Sequence, residues 1–183
     1  MKYHLRVALS FVLACSQGCR ENDLPDWSVV AYQAPDDPTR VSAEIELREL
    51  IIRKLLSQPH PDEDICFIAF GYADNEDWID PPPTFLKRLA DLPLDIRPVS
   101  QARLPRTGER KNAAQARGVE EMNTGEDASI YYVHLRRWID ESSVELDFGR
   151  YGGPLDGGGV HGAVYEVQDA QWQPRTEGQA FVS

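Results

Sequence analysis

Positive charge is in deficit in this chain: 19 Lys and Arg stand against 30 Asp and Glu, a formal charge of -11. Such a surface repels a phosphate backbone and anionic headgroups, which excludes nucleic acid as a partner and leaves charge no part in membrane attachment. Cysteine is scarce too. Three in 183 residues cannot staple a disulfide scaffold, so the fold has to rest on an apolar core. No apolar run approaches the about 20 residues that a membrane-spanning helix needs. There is no Gly-x-Ser-x-Gly elbow. The glycine-rich run from Gly149 to Gly159 leads into Val160-His161, not into the Lys-Ser or Lys-Thr pair that closes a phosphate loop. On these grounds the sequence assigns no catalytic residue and no cofactor, and 152–159 reads as a wide hairpin loop or bulge.

What the chain does have is 42% hydrophobic residues, enough for one domain core at this length. Its most regular stretch runs from Ile130 to Trp172. Between Val144 and Gly149 the residues alternate strictly, with Val144, Leu146 and Phe148 on one side and Glu145, Asp147 and Gly149 on the other. That period of two is a half-buried strand. Ile130 to Ile139 precedes it across the polar link Asp140-Glu-Ser142, which has hairpin length. Val160 to Val167 follows, then a turn at Asp169-Ala170 and a short closing strand opened by Trp172. Together these predict an antiparallel β-meander with one apolar and one wet face.

The first half supplies a cover for the apolar face. A helix is predicted from an N-cap at Ser42 to Leu56, with Arg53 and Lys54 in its last turn and Pro59 beyond. Ile65 to Phe70 is continuously apolar and rich in β-formers, a strand. An acidic loop over 74–80 and Pro81-Pro-Pro83 lead to a short second helix capped by Thr84, then to a brief strand from Ile96 to Val99. From Ser100 to Asp127 the chain is polar with several arginines, a long surface excursion with a turn of helix near 112–117. This order predicts an α+β fold, with one or two helices packed on a twisted antiparallel sheet that ends in the meander. In the order of its elements the chain resembles the cone-shaped folds of the nuclear-transport-factor-like type.

The N-terminus reads as an address. Lys2 and Arg6 precede an apolar run from Val7 to Ala14, the length of a signal-peptide core. The tetrapeptide Val12-Leu-Ala-Cys15 resembles the bacterial lipobox, in which a small residue precedes a cysteine that is lipid-modified and becomes the new N-terminus. The resemblance implies lipidation of Cys15 and the plan signal peptide 1–14, tether 15–40, single α+β domain 41–183. Ser16 after the lipobox resembles lipoproteins sorted to the outer membrane. The expected address is therefore the cell envelope, on the periplasmic side of the outer membrane, with ordinary secretion to the periplasm as the alternative. Through Cys66–Gly71, Phe85–Ala90, Arg97–Ser100 and Trp138–Trp172 the chain is also similar to uncharacterised bacterial envelope lipoproteins, which implies an architecture and no catalytic residues. Cys66, inside an apolar strand, reads as a buried thiol in preference to the bond to Cys19 that an oxidising envelope would allow.

Candidate sites are few. His134, Glu145 and His161 fall on neighbouring strands and offer a ligand or zinc site on the wet face, although no tight His-x-His spacing is present. Asp74, Asp77 and Asp80, with Asn75 and Glu76, supply hard oxygens for a cation, without the EF-hand spacing or its central glycine. Ser142 or Ser143 with His161 and Asp147 can be drawn as a triad. The reading that follows is a lipid-anchored envelope protein, non-catalytic, that presents its domain to an envelope protein or peptide and touches the membrane through its anchor alone. The alternative is a small ligand-binding or hydrolytic domain that uses a cavity between helix and sheet.

Overall fold

The computed structural model describes residues 29–30, 37–57, 64–72, 75–104, 118–153 and 156–182. Cys15, Cys19, Asp74 and the helical turn expected near 112–117 lie outside them.

Helix α1 spans Pro38–Leu56 and begins one turn earlier than Ser42. The cap is Asp37, whose carboxylate accepts the Thr39 N–H at 2.9 Å, and Pro38 supplies a preset helical φ at the first position. Ser42 sits inside the helix, its hydroxyl 3.4 Å from Glu46. Helix α2, Pro83–Arg88, likewise starts at a proline and leaves Thr84 within it.

Strands dominate the rest: β1 Val29–Val30, β2 Ile65–Tyr72, β3 Asn75–Ile79, β4 Asp95–Pro98, β5 Ala102–Arg103, β6 Val119–Glu121, β7 Asp127–Trp138, β8 Ser143–Gly153, β9 Asp156–Gln168, β10 Gln171–Thr176 and β11 Gln179–Val182. Their main order is β1-β3-β2-β7-β8-β9-β10, with β4 beside β2 and β11 beside β9. The fold is therefore β-rich, a mixed sheet with only two helices among the described residues, and not helices laid on an antiparallel sheet.

The difference has a physical origin in β2. Its run from Ile65 to Phe70 is buried throughout, as in a strand covered on both faces, and such strands take parallel neighbours. β2 pairs parallel with both β4 and β7. Stretches expected to be loops also joined the sheet. The acidic segment is β3, and the glycines extend β8 and β9, where Gly149 pairs with Gly159. Glycine is required at Gly149 because a Cβ there would run into the Gly158 carbonyl.

Two cores result. On one face α1 and α2 pack Leu47, Ile51, Ile52, Leu56, Phe85 and Leu89 against Cys66, Ile68, Phe70, Tyr131, Val133 and Leu146. Cys66 is fully buried, as the apolar strand predicts. Between helix and sheet these side chains pack with Arg48, which is fully buried. The other face is covered at one end by a 3-10 turn (Val99–Gln101), β5 and β6, which bury Ile65, Phe67, Trp78, Val119 and Ile130. Beyond Ile130 along β7 this second face opens, and there the polar side chains gather.

Candidate functional site

Asp147 on β8 is the hub of the open face, and two β-bulges aim its partners at it. Between β7 and β8 the register passes from Leu135↔Leu146 to Arg137↔Glu145, so Arg136 is an extra residue. Between β8 and β9 it passes from Leu146↔Ala163 to Phe148↔Val160, so His161 and Gly162 together oppose Asp147. A bulge of this kind redirects side chains. Gly162, at φ 65°, occupies the left-handed region that the second bulge requires.

The carboxylate accepts the Gly162 N–H at 2.7 Å and the Arg136 Nε–H at 2.8 Å, and His161 Nδ1 lies 3.3 Å away. Burial alone would push Asp147 up, but the Gly162 amide, Arg136 and His161 together hold it below the usual carboxylate value. Glu145, one position along the same face, receives Arg137 at 2.8 Å and lies 3.7 Å from Arg136. His134 pairs in register with Asp147 from β7. Its Nε2 is buried without a hydrogen-bond partner, and burial with the nearby Arg48 charge brings its value down to about 4, so the ring is neutral at pH 7. Tyr132 packs against His134 edge to face, with centroids 5.5 Å apart, and its hydroxyl is pushed up to about 12 by burial and the Asp147 charge.

His134, Glu145 and His161 thus do share one face, with Asp147 between them. Among the described residues no three His, Cys, Asp or Glu side chains form a group that could hold a metal ion. Of the acidic segment, Asp77 lies within β3, and the Asp80 carboxylate accepts the Ser100 N–H at 2.8 Å. Of the triad drawn from the sequence, His161 and Asp147 meet, whereas the hydroxyls of Ser142 and Ser143 both donate to Asp140 in the β7–β8 turn. Those bonds hold Asp140 down to about 2. What the sequence left unread was the hub role of Asp147, because the bulges that create it carry no local mark except Gly162.

The second bulge also shapes the sheet edge. Asp169 and Ala170 both have positive φ, 51° and 61°, and turn β9 tightly into β10, as in a two-residue hairpin loop with both residues left-handed. β10 pairs with the 164–168 half of β9, and β11 with its 158–161 half. No strand covers the outer side of either among the described residues. His161 stacks on Phe181 at 4.2 Å and 14°, Trp172 lies 6.2 Å from Trp138, and Val182 is 90% exposed.

No family model, no curated protein and no solved structure matches the chain.

Asp147→Asn tests the hub. It removes the charge that Arg136 and His161 share while leaving an oxygen for the Gly162 N–H. A loss of about 1–2 kcal/mol in urea unfolding is expected at pH 7. Since the folded carboxylate sits below its ordinary 3.8, its contribution is present above that pH and disappears as the pH falls through the folded value. A variant as stable as wild type at pH 7 would show that the two bulges stand without it.

Proposed function

We infer that this chain is an interaction domain held at the cell envelope by a lipid on Cys15, and that it receives a protein partner as an added strand along β10 and β11. The observation that carries this is the open edge itself. Two successive strands present backbone donors and acceptors outward, alongside the apolar side chains Trp172, Phe181 and Val182. Exposed edges of this kind are templates for another chain, and peptide-binding domains use them so. The Asp147 centre belongs to the same reading, because it fixes the bulge that divides the edge and sets His161 on Phe181. The lipobox-like Val12-Leu-Ala-Cys15 supports the address. No helix among the described residues is long and apolar enough to cross a membrane.

In-cell photocrosslinking from position Gln173 of the full chain tests both parts. One dominant protein, identified by mass spectrometry and absent when the probe stands at Lys87 on α2, is the expected outcome. The Cys15→Ala variant should lose it together with membrane fractionation. Equal capture from both probe positions would remove the edge from the account, and full membrane partitioning of Cys15→Ala would remove the anchor.

A further inference from the structure

We propose that the β10 edge takes up a cationic extended peptide, a strand bearing Lys or Arg at both ends. This rests on the edge reading above and adds the chemistry of the occupant. β10 is exposed along its whole length except at Trp172, and β9 holds it on one side only. Two carboxylates bracket it. Asp169 stands in the turn before the strand and Glu177 directly after it; both are exposed, and neither has an ion-pair partner among the described residues. The cation between them, Arg175, is already turned to Glu166 at 3.7 Å.

This arrangement argues against a second copy of the chain as the occupant. Asp169 and Glu177 lie equidistant from Gln173, so an antiparallel pairing of two copies centred there sets Asp169 of each against Glu177 of the other. Like charges opposite one another across strands destabilise the pair, on a chain that already carries -11. Pro174 removes one donor from the edge, a further device against unselective pairing. A strand with a basic residue at each end converts both repulsions into ion pairs. Spanning Asp169 to Glu177 takes about nine residues at about 3.3 Å each. On the α1 side the added strand would lie beside Trp172, which pairs with Val167 and packs near Trp138, so apolar β-formers suit its alternate positions.

The test is a titration of the isotope-labelled full chain with a peptide of about nine residues, alternating Thr and Val between terminal lysines. Amide shifts concentrated on β10 are expected, with affinity that falls as salt rises. The Asp169→Asn/Glu177→Gln double variant should bind about tenfold more weakly. Both changes lie on the surface, and Asn tolerates the left-handed φ of 51° at Asp169, so the fold is retained. A peptide with terminal glutamates that binds equally well overturns the charge chemistry and leaves the edge reading standing. If neither peptide shifts β10, the edge reading itself fails. Self-association of the free chain with the same β10 shifts, seen by sedimentation, makes a second copy the occupant and overturns the proposal.

Discussion

Replacing Arg48 with alanine should destabilise the fold by about 3–5 kcal/mol. Arg48 is fully buried on α1, where a cation is out of place unless its donors are used. It donates to the Val133 carbonyl at 2.7 Å and the Gly71 carbonyl at 3.3 Å, bonding the helix directly to β7 and β2. Its guanidinium carbon lies 4.4 Å over the Phe70 ring and 5.0 Å from that of Tyr72. One turn earlier Glu44, also buried, accepts from Tyr72 at 3.0 Å and from Trp138 at 3.1 Å. Alanine at Arg48 deprives two buried carbonyls of a donor and opens a void beneath the helix. Methionine refills much of the volume and should recover about half of the loss. Denaturant unfolding measures both. An alanine variant within about 1 kcal/mol of wild type would mean that the sheet satisfies those carbonyls by itself.

Acidification from pH 7 to pH 4 should cost about 3 kcal/mol through His134 alone, taking about 1.36 kcal/mol for each unit between its ordinary 6.5 and its folded value of about 4. The folded state holds the imidazole neutral, chiefly by burial and next by the charge of Arg48. As the pH falls through 6.5 the unfolded chain takes up a proton that the folded chain refuses, so stability declines. Near pH 4 the folded ring protonates as well and the decline stops. The ring owes its place to Gly71, since a Cβ there would overlap it. His134→Phe should flatten the stability profile between pH 4 and 7, and Arg48→Met should raise the folded value and narrow the window. An imidazole that titrates near 6.5 by NMR would sink the prediction.

The two effects are linked through Gly71, whose carbonyl meets Arg48 and whose missing side chain makes room for His134. No periodicity argument reaches such a position. From the sequence, Gly71 is only the end of an apolar strand, and Arg48 is one cation in a helix whose apolar stripe already accounts for its burial. The hub at Asp147 was hidden for a related reason. Alternation in β8 places Glu145 and Asp147 on one face, but which neighbours they meet depends on the registers of β7 and β9, and a bulge of one residue changes those partners. His134 was legible because alternation along β7 sets it on the face of Asp147, whereas alternation along β9 would set His161 beside Ala163 and Tyr165 on the core face, and only the bulge at His161 and Gly162 turns it to Asp147.

Local chemistry in the sequence determined that β7, β8, β9 and β10 form an antiparallel meander, that a long helix ends near Leu56, and that β2 is a buried strand. Period, caps and turn residues act over a few positions, and they can be read there. Tertiary structure alone decided that β2 lies between β4 and β7 in parallel, which makes the fold a mixed β-rich sheet instead of helices on an antiparallel one. It also decided that glycines 157–159 and the acidic residues near Trp78 join the sheet. Parallel pairing and bulge placement are set by contacts between segments far apart in the chain, where the gain is buried area and shared hydrogen bonds, and no window of sequence contains both partners.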